Sequence, residues 1–310
     1  MPRNSLHLLL TSVAAALVVA GSALLLPALS GNAAWLPSAE GAEGPGAPAA
    51  AAASADPAAA SADPAVEARR AWEAKGEGLT AALTAYAQGG AEFAVTLVDN
   101  RTGLAFDYFG DESFESASVA KVDILAALLL RAQDENRDLT ARELELATRM
   151  IGVSDNDAAT TLYAGLGQAA GLTAANARIG LSGTVPVDDS WGLTTTTPND
   201  QARLVGTLLG GDLFTGYSRE TATGLMTSID ENQDWGISAA AAEGERTALK
   251  NGWLSRDTED GEWIVNSVGR ITGDEADLVL VVLSHGNEGY RTGVDHVEKV
   301  ATMTREQLGV

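Results

Sequence analysis

The 310-residue chain is strongly acidic: 20 lysines and arginines stand against 42 aspartates and glutamates, and the formal net charge is -22. Such a charge repels nucleic-acid phosphates, so no nucleic-acid partner is expected. The sequence has no cysteine, which excludes disulfides, zinc–thiolate and iron–sulfur sites, a cysteine nucleophile and an acyl-cysteine anchor. It has only three histidines, His7, His285 and His296, and this small number argues against a multi-histidine metal centre.

A long apolar segment opens the sequence. Residues 6–29 form a run that few polar residues interrupt, and at about 1.5 Å per residue such a helix crosses a bilayer. Residues 1–32 are therefore predicted to be a signal peptide, cleaved near the small residues 31–33, or an uncleaved transmembrane signal anchor. Both alternatives place the rest of the chain outside the cytoplasm, either secreted or tethered to the outer face of the cell membrane by residues 6–29.

Residues 33–65 have the composition of a linker. Sixteen of these residues are alanine, five are proline, and none is lysine or arginine. The prolines stop helix propagation, and large apolar side chains are too few to offset the entropy of ordering. We predict a disordered, flexible spacer that precedes a folded domain at 66–310.

From residue 66 onward the hydrophobic pattern is that of a folded domain. Helices are predicted at 66–88, 118–133, 157–166, 198–209 and 293–308, with one more after a capping box at 140–143. Strands are predicted at 93–98, 104–109, 248–253, 263–270 and 278–283. The helix at 118–133 has apolar residues on nearly every face, which is typical of a buried helix.

The order of these elements predicts an α/β (α+β) architecture. Five strands joined by short turns form one antiparallel sheet, and the first and last helices cover one of its faces. An inserted all-helical lobe, at about 110–232, lies beside the sheet. We expect a functional site in the cleft between the lobe and the sheet.

A serine and a lysine stand three residues apart at the start of the buried helix. Ser118 and Lys121 share a face of that helix, so the hydroxyl and the amino group can meet. Burial lowers the pKa of a lysine toward the range in which its amine accepts a serine proton. The alternative is an exposed pair in a first helical turn, and the motif alone does not exclude it.

Two further motifs follow. Ser154 and Asn156 lie between helical patterns, where a second hydroxyl can relay a proton and an amide can bind a carbonyl group; the alternative is a simple helix cap. Lys250 and Gly252 lie in a predicted strand, where the lysine presents positive charge and the glycine permits close approach of a ligand; the alternative is an ordinary strand end.

The three motifs together, in this order, resemble those of the penicillin-recognising serine hydrolases, most closely class A β-lactamases. The similarity covers about 79–308 and includes the nucleophile segment 114–127, the segment 150–162 and the threonine-rich helix start at 194–198. It implies the β-lactamase/transpeptidase-like fold: a five-stranded antiparallel sheet flanked by terminal helices, with an inserted all-α lobe.

The resemblance also implies catalytic roles. Ser118 is expected to be the acylated nucleophile, Lys121 its proton acceptor, directly or through water, and Ser154 the relay to the leaving nitrogen. The backbone N–H groups of Ser118 and Trp253 are expected to form the oxyanion hole.

Five residues are expected to bind substrate. Asn156 holds a substrate amide or Lys121, Lys250 binds the substrate carboxylate, and Gly252 and Trp253 line the cleft beside Asn251. The family usually has Thr or Ser where Asn251 stands, so carboxylate binding is expected to be altered. Trp253 is bulky for its position and is expected to narrow the cleft.

The segment 180–193 departs further from the family. Class A β-lactamases carry a glutamate in the Ω loop that activates the deacylating water, but this segment is short and has no glutamate. Its acids are Asp188 and Asp189, neither of which aligns with the missing residue. Deacylation is therefore in doubt, whereas acylation has a candidate for every group that it needs.

These observations leave three hypotheses for function. The first is an exported serine hydrolase of class A β-lactamase type that transfers the acyl group of a β-lactam or a related amide or ester through acyl-Ser118. The second is a D-Ala-D-Ala peptidase or esterase that uses the same groups. The third is a non-catalytic family member that binds the cell wall. A histidine-dependent hydrolase is not favoured, because the chain has no Gly-x-Ser-x-Gly elbow.

The expected partners are small molecules. The substrate is a β-lactam or a peptidoglycan-like compound, and the membrane is a partner only if the apolar segment stays uncleaved. No metal or organic cofactor is implied, and we expect a monomer.

Overall fold

The computed structural model of the protein describes residues 63–88, 90, 92–256 and 261–310. Within these residues the helices are α1 (Pro64–Ala87), α2 (Ala120–Asp134), α3 (Ala141–Gly152), α4 (Asn156–Leu166), α5 (Gln168–Ile179), α6 (Pro198–Gly210), α7 (Gly216–Thr227) and α8 (Tyr290–Leu308). The strands are β1 (Glu92–Asp99), β2 (Leu104–Tyr108), β3 (Phe114–Glu115), β4 (Thr195–Thr196), β5 (Arg246–Arg256), β6 (Glu262–Thr272) and β7 (Asp277–His285).

The main sheet has five antiparallel strands in the order β2-β1-β7-β6-β5. β1 and β2 form a hairpin, and β7 returns between β1 and β6. Strand β5 is therefore an edge strand, and one row of its backbone N–H and C=O groups has no strand partner in this sheet.

Apolar side chains of the central strands alternate between two cores. On β7, Val279, Val281 and Leu283 belong to the core shared with the helical lobe, whereas Leu280 and Val282 belong to the core under α1 and α8. Both faces of the sheet are thus covered, which explains why these strands read as nearly continuous apolar runs.

The helical lobe is built around α2. Ile124, Leu125, Leu128 and Leu129 are fully buried, since α3 to α7 surround this helix. The capping box predicted for the next helix is confirmed: the Thr140 hydroxyl accepts a hydrogen bond from the backbone N–H of Glu143, whose carboxylate accepts one from that of Thr140.

The predicted five-stranded sheet with flanking terminal helices is confirmed, and the lobe differs from the prediction in two respects. Helices α5 and α7 were not predicted, because their alanine-, glycine- and threonine-rich sequences show only a weak apolar periodicity. The lobe is also not entirely helical, since β3 and β4 pair through Phe114 and Thr196. This short pair brings the segment before α2 against the segment before α6.

The predicted apolar segment at 6–29 and the linker up to residue 62 lie outside the described residues. In the part of the chain that the structure describes, no helix is long and apolar enough to cross a membrane. The folded domain begins with α1, where the Asp63 side chain caps the helix by accepting a hydrogen bond from the backbone N–H of Ala65 at 3.0 Å.

Candidate active site

Ser118 lies in a tight turn that leads directly into α2. The residue before it, Ala117, has a φ of 47°, in the left-handed region that costs a non-glycine residue about 1–3 kcal/mol. Hydrogen bonds from neighbouring elements fix the turn. The Ser116 N–H donates to the carbonyl of Thr194 at 2.8 Å, and the Asn266 amide donates to the carbonyls of residues 115 and 116 at 2.9 and 3.2 Å. The half-buried Ser118 side chain is thereby held at the start of the helix.

Lys121 joins the first two sequence motifs. Its Nζ lies 2.9 Å from Ser118 Oγ, 2.9 Å from Ser154 Oγ, 2.7 Å from the Ser154 carbonyl oxygen and 2.7 Å from Asn156 Oδ1. These are hydrogen-bond distances, and the lysine has no exposed surface. Protonated, the amine donates to these oxygens; neutral, it accepts the Ser118 hydroxyl proton with the same geometry.

The electrostatic environment favours the neutral amine. Burial lowers the pKa of Lys121 to about 7, while the Asp155 carboxylate opposes this shift. A lysine with its ordinary pKa is almost entirely protonated at neutral pH, whereas Lys121 is close to half neutral there. This amine can therefore act as a base under physiological conditions.

Ser154 lies between α3 and α4 in another left-handed conformation, with a φ of 58°. Asp155 follows it and caps α4, since its carboxylate accepts from the Ala158 N–H at 2.9 Å and pairs with Arg149. The helix-cap alternative is thus correct for Asp155. It leaves the side chains of Ser154 and Asn156 free to contact Lys121.

Lys250 approaches the same serine from strand β5. Its Nζ lies 3.0 Å from Ser154 Oγ and 2.8 Å from the Asn251 carbonyl oxygen, and the side chain is buried. Burial and the nearby positive charge of Lys121 hold the pKa of Lys250 well below its ordinary value. Ser154 thus stands between two lysines, in a position where a proton can pass through its hydroxyl.

Gly252 is the point at which strand β5 meets the Ser118 turn. A Cβ at this position would lie 2.8 Å from the carbonyl oxygen of Ser116 and from the backbone nitrogens of Ser118 and Val119. Only glycine lets the strand edge come this close to the turn. The approach brings the backbone of β5 next to the N–H of Ser118.

The side chains of Asn251 and Trp253 do not lie where the sequence predicts them. The Asn251 amide donates to the carbonyls of Gln233 and Trp235 at 2.8 and 3.0 Å. The Trp253 ring packs on those of Trp235 and Tyr290, in the core region under α8. Side chains alternate along a strand, so both residues lie on the face opposite to Lys250. The expectation that Trp253 narrows the cleft is wrong, and the donors of Asn251 are engaged within the chain.

One aromatic residue of the site is not predicted by the sequence motifs. The ring of Trp191, in the tight turn Trp191–Leu193, lies over Lys121, with 4.7 Å between Nζ and the ring centroid. No motif signals such a contact, because it depends on how the segment 180–193 folds over α2. Asp188 and Asp189 instead accept hydrogen bonds from the start of α5.

The two histidines among the described residues serve packing. His285 is the last residue of β7. His296 is not at the surface: its ring stacks on Tyr86 and meets the edge of Phe93, and burial lowers its pKa to about 4. Neither histidine contacts Ser118.

The sequence of the domain matches a known family model. The model of the Beta-lactamase enzyme family matches residues 77–144 and 140–308, which is most of the described chain. LppW of Mycobacterium tuberculosis, a lipoprotein by name, is 26% identical over 204 residues. That alignment spans 63% of this chain and 63% of LppW.

Solved structures show the same fold. The β-lactamase from Sphaerobacter thermophilus has a TM-score of 0.64 and 22% identity, and the match covers 75% of this chain and 97% of the enzyme. PBP-A has a TM-score of 0.65 and 20% identity, with 76% and 96% covered. The five-stranded sheet and inserted helices are those of the class A β-lactamase fold.

Proposed function

Since the chain belongs to the Beta-lactamase enzyme family, we propose that it is a serine acyl-transfer enzyme that forms an ester between Ser118 and the acyl group of a β-lactam or a related amide or ester. The observation that carries the proposal is the position of the Lys121 amine. It lies within hydrogen-bond distance of both Ser118 Oγ and Ser154 Oγ, and burial lowers its pKa to about 7.

In the first step the Ser118 oxygen attacks the substrate carbonyl carbon. Its proton passes to the neutral Nζ of Lys121, 2.9 Å away. Negative charge develops on the carbonyl oxygen, and the N–H groups of Ser118 and Trp253 stabilise it. The close approach of Gly252 to Ser118 N supports this pair, because it brings the two backbone segments together.

In the second step the carbon–nitrogen bond breaks, and the leaving nitrogen takes a proton from Ser154. Lys121 replaces that proton through its contact with Ser154 Oγ at 2.9 Å. Lys250, 3.0 Å from the same oxygen, stabilises negative charge on it and attracts the substrate carboxylate. Asn156 keeps Lys121 in place by accepting a hydrogen bond at 2.7 Å.

Substrate binding differs from the sequence-based expectation at one position. The donors of Asn251 contact the carbonyls of Gln233 and Trp235, so the substrate carboxylate relies on Lys250. A carboxylate beside Lys250 favours the protonated amine and so opposes the lowering of its pKa by burial and Lys121. β-Lactams and peptidoglycan-like peptides ending in a D-alanyl carboxylate both present such a group. The proposed substrate class is an acyl donor with a carboxylate on its leaving side.

Intact-mass spectrometry of residues 63–310 after incubation with a penicillin tests the proposal. We expect one covalent adduct on Ser118, no adduct in Ser118→Ala, and severely slowed labelling in Lys121→Ala. Ser255→Ala is the matched control, because Ser255 is an exposed serine of strand β5, and its labelling should equal that of the unmodified chain. An adduct on another residue, or none with any β-lactam or activated ester while the domain is folded, would refute acyl transfer and leave the cell-wall-binding alternative.

We also propose that the domain acts outside the cytoplasm, tethered by residues 6–29 or released by cleavage. The lipoprotein name of LppW supports export, although the present sequence has no cysteine that could carry a lipid. A fusion of residues 1–65 to a reporter that is active only after export should give a signal. Activity of a cytoplasm-dependent reporter in its place would contradict the proposal.

A further inference from the structure

Trp191 forms a cover over the catalytic lysine. The turn that carries it packs against the Ser118 turn, and the Ser116 N–H donates to the carbonyl of Thr194 at 2.8 Å. With Nζ of Lys121 4.7 Å from its centroid, the indole ring lies against the group that must take or give every proton in the reaction. The side of Lys121 that faces the ring is therefore closed to water.

Two contacts hold the ring in this position. Trp191 Nε1 donates to Thr160 Oγ1 of α4 at 3.1 Å, and the ring packs against the core of the helical lobe. The side chain is half-buried. Both contacts favour the position of the ring over Lys121.

The acidic residues near the site are engaged elsewhere. Asp155 pairs with Arg149 and caps α4, while Asp188 and Asp189 accept hydrogen bonds from Ala169 N and Gln168 at the start of α5. Among the described residues, no carboxylate forms an ion pair with Lys121. The place beside the amine holds an indole, which cannot accept a proton from water.

We propose that Trp191 is a positioning and shielding residue that protects acyl-Ser118 from hydrolysis, so that the acyl-enzyme is long-lived. This inference rests on the proposed acyl-transfer function. In hydrolysis, the water oxygen bonds to the acyl carbon, one water proton goes to a base, the bond from carbon to Ser118 Oγ breaks, and Oγ regains a proton. The base available is Lys121, and the indole ring keeps water from reaching it.

The test times the two halves of the reaction separately. The acyl-enzyme is formed with excess penicillin, the free probe is removed, and the adduct is followed by intact mass. Trp191→Phe retains a ring over Lys121 and should change the adduct half-life by less than about threefold. Trp191→Ala opens the site and should shorten the half-life about tenfold or more. Because exposure also raises the pKa of Lys121, the acylation rates are compared on the high-pH plateau of each variant, where Lys121 is neutral, and there they should differ little.

A third variant supplies the missing base. Trp191→Glu places a carboxylate beside Lys121 and should shorten the half-life further, since a positioned general base typically contributes about 10²–10⁴ in rate. The deacylation rate constant of this variant should also depend on pH in the acid range: it should fall as the new carboxylate becomes protonated. If the role of Trp191 were purely structural, Trp191→Ala would be acylated more slowly, and deacylation of Trp191→Glu would show no new dependence on pH.

The outcomes separate the two proposals. Folded variants whose adducts form but keep the original half-life would overturn the shielding role and leave acyl transfer intact. If penicillin gives no adduct, the same comparison is made with the acetyl group of an activated ester such as p-nitrophenyl acetate. Failure of both donors to acylate the folded domain would refute acyl transfer, and the shielding role with it.

Discussion

The pKa of Lys121 predicts how acylation depends on pH. The lysine must be neutral to take the Ser118 proton, so the rate should fall as protons bind below the pKa, which burial sets at about 7. An unperturbed lysine, with a pKa near 10.4, would be neutral in roughly one molecule in a few thousand at pH 7. A pKa of about 7 thus corresponds to a neutral fraction roughly a thousand times that of an unperturbed lysine.

The predicted profile is specific enough to measure. The second-order rate constant for labelling of Ser118 by a penicillin should be constant above about pH 8, half-maximal near pH 7, and about 3% of the plateau at pH 5.5. Stopped-flow or quenched intact-mass measurements give this constant. A flat profile, or one that keeps rising toward pH 10, would refute the assignment of Lys121 as a base activated by burial.

A charge change near Lys121 identifies the titrating group. The Asp155 carboxylate raises the pKa of Lys121, so Asp155→Asn should move the midpoint to lower pH. Asparagine caps helices about as well as aspartate, so α4 should stay intact. Lys299→Ala is the matched control, since this exposed lysine lies on α8. If the midpoint of the acylation pH profile moved equally in both variants, the titrating group would not be Lys121.

Two further predictions concern strand β5. Gly252→Ala places a Cβ 2.8 Å from backbone atoms of the Ser118 turn, whereas an ordinary contact begins near 3.4 Å. The resulting displacement should slow acylation about 10- to 100-fold. Gly224→Ala is the control: its Cβ meets no atom within 4 Å, and the acylation rate should not change. Asn251→Ala removes one donor from each of two carbonyl groups: the Gln233 carbonyl keeps the N–H of Trp235, whereas the Trp235 carbonyl loses its side-chain donor. The free energy of unfolding should fall by about 1–3 kcal/mol in urea titration, with acylation changed less than about threefold. A large loss of substrate affinity in Asn251→Ala would instead support the role in substrate binding that the sequence predicts.

Local patterns predicted the parts of the site that depend on one element. Ser118 and Lys121 stand three residues apart on a helix, and this spacing alone brings a hydroxyl and an amine to one face. The all-round apolar sequence of the same helix predicted the burial that shifts the pKa of the lysine. The strands of the sheet could also be predicted from local patterns, because clear turn sequences flank each of them.

The long-range parts of the site needed the family resemblance. Lys121 and Lys250 are far apart in sequence, and no spacing rule predicts that both contact Ser154 Oγ. The resemblance identified these residues, but it was less accurate for their strand neighbours. Asn251 and Trp253 face away because a strand turns each successive side chain to the opposite face, which the motif by itself does not reveal.

Trp191 could not have been predicted, because its position depends on two loops folding against each other. The sequence shows only that a glutamate is absent from 180–193, and an absence does not say what fills the place. In the structure, an indole lies against Lys121 there, fixed by Thr160. In the proposed reaction, an open space here would let water reach the amine, and Lys121 would then be the base for hydrolysis of acyl-Ser118. The role that we propose for the ring therefore separates the two halves of the reaction: the path from Ser118 to Lys121 stays intact for acylation, and the path from water to Lys121 that hydrolysis requires is removed.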